Sequence, residues 1–251
     1  MRDLESLLNA LGRGSAPEGL AGSILKATGV WSRRARIATP IGDCWVWFNR
    51  HGIEAVRPAG ASDRGEVDLP PDLARRLDLA LQGRRVVLPF DLRRVRAFEG
   101  SVLEAARAIP FGEVRSYAWV AKEIGRPLAV RAVGTALAHN PIPLFIPCHR
   151  VIRSDGDIGQ YSAGGAVAKH TLLIHEGVPV DRLRSLGGRG VRYLGDRRRG
   201  EYCLPGCRAA SRTGDKAVEL RSEFEARLLG LVPCPRCRPS GVDLRSNQPR
   251  E

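Results

Sequence analysis

Nowhere in its 251 residues does the chain carry the 18 or more consecutive apolar residues that a membrane-spanning helix requires. The amino terminus, MRDLESLLNALGRG, places acids early and lacks an apolar core, so it does not read as a secretion signal. Cysteine is sparse, six in all, too few for a disulfide-stapled extracellular scaffold. These absences point to a reducing cytoplasm, no membrane partner, and thiols available to react or to bind metal. Acid is the other shortage, with 27 Asp and Glu against 40 Lys and Arg and a formal charge of +13. Such an imbalance fits a polyanionic partner, nucleic acid first, although a basic surface that only promotes solubility fits equally well.

What is present divides the chain into stretches of different texture. Leu4, Leu7, Leu8 and Leu11 recur at helical spacing and predict a short helix in an extension over residues 1–32. Residues 33–95 begin with alternating apolar and polar positions around turn signals at 40–42 and 49–52, which predict three short strands. They continue with PPDLARRLDLALQG, a helix opened by Pro70 and Pro71 and closed by Gly83. Residues 96–180 are mostly helical in pattern. SYAWVAKEIG starts at a Ser116 cap and PLAVRAVGTALAHN follows the Gly125-Arg126-Pro127 turn, together suggesting a helix-turn-helix. Residues 181–200, rich in Arg and Gly, read as a basic linker to a small unit at 201–240, with a tail over 241–251. The last 71 residues hold 16 Lys or Arg against 9 Asp or Glu, an excess of seven cations.

Within this frame IPCHRVI, residues 146–152, sets Cys148 directly before His149. A cysteine with a basic neighbour can be a nucleophile, a metal ligand or a small buried apolar side chain. An imidazole can take the thiol proton directly or through water, especially when a carboxylate such as Glu176 holds its other nitrogen. Adjacent residues on an extended segment point oppositely, so the pair alone leaves the choice open.

The stretch GEVRSYAWVAKEIGRPLAVRAVGTALAHNPIPLFIPCHRVIRSDGDIGQYSAGGAVAKHTLLIHEG, residues 112–177, resembles the O6-alkylguanine-DNA alkyltransferases, also called methylated-DNA-protein-cysteine methyltransferases. The resemblance implies an α/β protein with a ribonuclease-H-like three-stranded sheet and helix, followed by an all-helical active-site domain built on a helix-turn-helix. It implies direct transfer of an alkyl group from O6-alkylguanine, and from O4-alkylthymine, in flipped-out double-stranded DNA. The acceptor is Cys148, no organic cofactor takes part, and a monomer suffices. His149 matches the base, acting through a water, and Glu176 the carboxylate that orients it. Tyr117 matches the tyrosine that rotates the nucleotide and donates a proton towards the departing guanine, and Asn140 the asparagine that braces the turn before the nucleophile.

Arg131 matches the side chain that fills the gap left by the flipped base. Ala132, Thr135, Ala136 and Ala138 are small enough to let the helix approach a minor groove, while Val130, Val133 and Leu137 share an inward face. Tyr161, Ser162 and Val151 match the pocket wall. Ala163 makes the loop one residue longer than the usual Y-S-G-G form. The alternative from another class is a non-catalytic sensor that flips the lesion and signals to repair machinery, but such proteins replace the cysteine that Cys148 retains.

The carboxy-terminal unit places Cys203, Cys207, Cys234 and Cys237 as C-x3-C and C-x2-C, separated by a short helical stretch, which is the pattern of a tetrahedral zinc site. FEARLLGLVPCPRCRP resembles the Ada-like zinc domains. That resemblance implies bound zinc and a possible second methyl acceptor, Cys203, for DNA methylphosphotriesters, set beside a purely structural, DNA-holding role. Cys44, remote from both motifs, reads as a small core residue.

Overall fold

The computed structural model describes residues 32–60 and 67–239. The amino-terminal leucine helix and the tail over 241–251 lie outside the described residues. The architecture is mixed α/β. Strands β1 (Arg33–Ile37), β2 (Cys44–Asn49) and β3 (Gly52–Pro58) form an antiparallel meander. Cys44, Trp45, Val46 and Phe48 on the central strand are buried, and the Cys44 thiol lies within the core as expected.

The β2–β3 turn depends on Gly52. Its φ of +135° favours glycine, and a Cβ there would collide with the Pro89 carbonyl. That close approach is used, because Ile53 N–H donates to Pro89 O at 2.8 Å and Asp91 N–H donates to Ile53 O at 2.8 Å. The edge of the sheet is thereby tied to the segment entering the next domain. Further along β3, Val56 N–H donates to Pro141 O at 2.9 Å, so the sheet supports the turn that precedes Cys148.

Helix α1 (Pro71–Leu81) contributes Leu77 to the core, and α2 (Ala97–Arg107) buries Val102, Leu103 and Ala106. Helix α3 (Tyr117–Glu123) is capped by Ser116, whose hydroxyl accepts from Trp119 N–H at 3.1 Å. Helix α4 (Val130–Ala138) starts later than its sequence pattern suggests, since 127–129 form the turn into it. The active-site domain is not all-helical. Strand β4 (Arg115–Ser116) pairs in parallel with β5 (Val151–Ile152), directly after a 3-10 turn over Cys148–Arg150. This pairing satisfies backbone groups beside Cys148 that a loop would leave buried without partners. Helix α5 (Gly165–His175) closes the domain. One core cluster runs from the meander through these helices.

The expected linker over 181–200 is ordered structure. Helix α6 (Val180–Gly188) and strand β6 (Tyr193–Asp196) occupy most of it and bury Leu183, Leu186, Val191 and Leu194. Gly187 serves close packing here and not flexibility, because a Cβ would run into the Asp155 carbonyl. Strand β6 is central to a four-stranded sheet of order β8-β6-β7-β9, with β7 at Glu201–Cys203, β8 at Val218–Leu220 and β9 at Val232–Pro233. Short helices α7 (Arg208–Ser211) and α8 (Glu223–Leu228) complete the module.

This module is docked on the preceding domain. Val114 N–H donates to Gly206 O at 3.1 Å, and the Trp119 indole N–H donates to Cys237 O at 2.8 Å. The fully buried Glu113 carboxylate receives Arg115, two residues along the chain, and Arg236 from the module, each at 2.7 Å.

Candidate active site and cysteine cluster

Asn140 organises the approach to Cys148. Its amide oxygen accepts from Ile142 N–H at 3.0 Å, and its amide nitrogen donates to Ile146 O at 2.8 Å and lies 3.1 Å from Cys148 Sγ. One buried side chain therefore folds the Asn140–Cys148 segment and offers a hydrogen bond to sulfur. Burial pushes the Cys148 thiol up, against the opposing pull of that amide and of the Lys169 charge, so the resting sulfur keeps its proton.

Behind the sulfur lies a chain of charges. His149 Nε2 is 2.8 Å from Glu176 Oε1. Arg150 donates to both carboxylate oxygens of Glu176, Nε to Oε2 at 2.9 Å and a terminal nitrogen to Oε1 at 2.9 Å, and Gly112 N–H adds a donor at 3.1 Å. Burial alone would raise the Glu176 carboxyl. The bonds and charges of His149 and Arg150 outweigh it and hold the group at about 2. Burial pushes His149 below its ordinary value despite Glu176, so the ring is neutral near pH 7. With Nε2 engaged as donor, Nδ1 is the nitrogen able to receive a proton, and it has no hydrogen-bond partner among the described residues.

A cavity of about 250 Å3 opens at the sulfur, lined by Tyr117, Gly134, Leu137, Ala138, Cys148, Gln160, Tyr161 and Ser162. Tyr161 is buried with its ring edge-on to His149 at 6.0 Å between centroids, while Ser162 is exposed at the rim. The extra residue Ala163 turns into the core. Val151, expected in the pocket wall, does not line this cavity. Its side chain is buried in the core, and its carbonyl accepts from Lys169 Nζ at 2.7 Å.

On α4, Arg131, Ala132, Thr135 and Ala138 are exposed and Val133 and Leu137 are buried. Ala136, expected on the small outward surface, is buried instead because it follows Val133 by three residues on the packed face.

Sequence reasoning missed Lys169 and Arg150. Lys169 is 1 % exposed, sits 5.9 Å from the Tyr117 ring centroid, and is pushed down to about 8 by burial, against the opposing charges of Cys148 and Asp157. A signal for it existed. Lys169, Leu172, Leu173 and Glu176 fall at i, i+3, i+4 and i+7, which places a lysine on an apolar face.

The family model for the DNA-binding domain of 6-O-methylguanine DNA methyltransferase matches residues 97–178, which contain all of this geometry. The methylated-DNA–protein-cysteine methyltransferase of Salmonella typhimurium is 50 % identical over 173 aligned residues, covering 57 % of this chain and 94 % of that protein. The chain belongs to the methylated-DNA–protein-cysteine methyltransferase family. The rat member of the family is 53 % identical over 81 residues, and the chain spans only 39 % of its length. The crystal structure of the Mycobacterium tuberculosis O6-methylguanine methyltransferase superposes with a TM-score of 0.51 at 32 % identity, covering 58 % of this chain and 93 % of that one.

The other four cysteines converge independently. The sulfurs of Cys203, Cys207, Cys234 and Cys237 all lie within 4.8 Å of one another, and all four residues are buried. A tetrahedral ion with bonds of about 2.3 Å needs sulfurs roughly 3.8 Å apart, so the donor set fits a thiophilic metal. Leu204 N–H donates to Cys237 Sγ at 3.4 Å, a backbone contact of the kind that supports thiolate ligands. Hydrogen bonds among the packed thiols, Cys207 foremost, raise Cys203 far above its ordinary value, which a shared cation would reverse.

Proposed function

We propose that the chain repairs DNA by moving an alkyl group from O6 of guanine, and from O4 of thymine, onto Cys148. The observation that carries this reading is a lone thiol at a nucleobase-sized cavity with an amide donor on its sulfur and a neutral, carboxylate-braced imidazole behind it. The thiol proton passes to His149 Nδ1 through a water, and Glu176 steadies the imidazolium that forms. Sulfur attacks the alkyl carbon, the carbon–O6 bond breaks with its electron pair going to oxygen, a proton reaches the departing guanine from Tyr117, and the proton held on His149 returns through water to the Tyr117 phenolate. The products are a thioether and an unmodified base. No side chain here can hydrolyse the thioether, so each molecule reacts once.

The lesion must leave the stack before sulfur can reach it. Helices α3 and α4 act as a helix-turn-helix whose short-sided face, Ala132 and Thr135, rests in the minor groove while Arg131 fills the vacated stack. Tyr161 and Ser162 flank the extruded base, and the meander is a ribonuclease-H-like scaffold for Asn140–Cys148. The partner is double-stranded DNA carrying alkylated bases, and a monomer suffices. Zinc is the metal for Cys203, Cys207, Cys234 and Cys237, and it organises a small unit with little core of its own. Six free thiols suit the reducing cytoplasm. Cys203 keeps the most exposure of the four, 4 % against 0–1 %, and is the candidate acceptor if the module also takes methyl groups from phosphotriesters.

The test is intact-mass analysis after mixing with a duplex carrying O6-methylguanine. The expected result is one methylene gained (~14 Da), mapped to Cys148 and absent in Cys148→Ala. Tight lesion binding without any mass change overturns transfer in favour of a sensor. A methylphosphotriester duplex asks the same question of Cys203.

A further inference from the structure

The back of the active-site segment faces a second, larger cavity of about 790 Å3 that shares no lining residue with the one at Cys148. Three parts of the chain build it: the loop after α1, the end of α2 with the Leu144–Pro147 strip, and the cysteine-rich module. Six arginines line it, namely Arg84, Arg85, Arg107, Arg150, Arg208 and Arg236, and no Asp or Glu does. Arg150 and Arg236 are committed to Glu176 and Glu113, and Arg107 reaches the exposed Glu104. Arg84, Arg85 and Arg208 are exposed and have no acidic partner among the described residues.

Between the arginines the floor carries apolar side chains, Val86, Leu88, Ile109, Leu144 and Phe145 among them. Two of its rings, Phe90 and Phe111, each carry a guanidinium at 5.5 Å from the ring centroid, Arg107 and Arg150 respectively. With their N–H edges engaged by Glu104, Glu176 and Ile109 O, these two guanidiniums offer their outer faces for a stacked base.

We propose that this cavity binds single-stranded nucleic acid, with phosphates on the rim of Arg84, Arg85 and Arg208 and bases against the floor. Uncompensated arginines over an apolar, aromatic-bearing floor are the combination that tracks a backbone and stacks bases without reading sequence. A cavity of this volume admits one strand and excludes a duplex. The module contributes Arg208 and Arg236, so its docking gives the catalytic domain a nucleic-acid contact that the domain alone does not possess. This site shares with the proposed repair reaction only the premise that the chain handles nucleic acid.

The test measures binding of a short, undamaged, fluorescent oligothymidylate as a function of salt, so it is blind to whether Cys148 accepts an alkyl group. In Arg84→Gln/Arg85→Gln/Arg208→Gln the slope of log affinity against log salt should fall by about 2, from roughly 0.7 per lost phosphate contact. Affinity at ~0.1 M salt should fall ~10-fold or more. The thermal unfolding midpoint reports that the variant is folded. The double variant Arg84→Gln/Arg85→Gln, which leaves the cysteine module untouched, should give about two thirds of the change in slope. Undamaged duplex, which uses Arg131 and α4, should keep its affinity. Three results each overturn the inference: an unchanged slope for the single strand, an equal loss for the duplex, or competition by polyglutamate as effective as that by oligothymidylate of equal charge.

Discussion

Two groups of buried sulfur in this chain sit in opposite surroundings. Cys148 is one thiol among an amide, an imidazole chain and a cavity, whereas Cys203, Cys207, Cys234 and Cys237 have one another as neighbours. Burial is nearly the same at both, 5 % exposure for Cys148 and 4 % or less for the others. Burial therefore does not distinguish a reactive sulfur from a structural one. What the sulfur can reach does: at Cys148 a route for a proton and room for a base, at the cluster a place for a cation.

The sharpest way to break this contrast is Cys148→Ala. It should abolish alkyl transfer entirely, read by intact mass, while metal content and the unfolding midpoint stay near those of the parent. Cys237→Ser should do the reverse at the other site. Metal analysis should show the ion lost, and the module should unfold with it, because metal binding contributes on the order of 10 kcal/mol to such units. Transfer should be weakened and not abolished in that variant.

A third measurement concerns the charge chain behind Cys148. Glu176 is held at about 2 in the folded protein against an ordinary value of 4.5. A carboxyl with a depressed folded value stabilises fully above its unfolded pKa and loses that contribution as pH falls through the folded one. Stability should therefore drop by about 3 kcal/mol between pH 4.5 and 2, and Glu176→Gln should flatten that part of the curve. Denaturant titrations at stepped pH check it. The smallest effect is at the seam between the two sites. Trp119→Phe removes the indole donor to Cys237 O and should cost about 1 kcal/mol, with module and catalytic domain then separating in a heat-capacity scan.

Much of both sites was legible because their residues are close in sequence. Cys148 and His149 are adjacent, the four cysteines form two short pairs, and the meander and helices follow ordinary apolar spacing. The misreadings came where composition outweighed spacing. Arg and Gly over 181–200 suggested a linker, while Leu183, Leu186 and Leu194 were the residues that fold it. Lys169 and Arg150 were passed over because a cation on a helix or beside a histidine is ordinarily solvated. Only packing shows that one is buried against the Val151 carbonyl and the other bound to Glu176. The resemblance places Val151 in the pocket wall, yet its pairing with Arg115 turns the side chain into the core.

By itself the sequence determined that Cys148 precedes His149, that Arg131 lies on a helix and that four cysteines form two close pairs, because each is a local pattern of residue type and spacing; the resemblance added the roles expected of them. Tertiary structure alone decided that Arg150 clamps the Glu176 carboxylate across 26 residues and that Lys169 is buried against the Val151 carbonyl across 18. It also decided that the module closes an arginine-lined cavity behind them. Those contacts join segments far apart in the chain, and only a packed core can hold buried charges at hydrogen-bond distance.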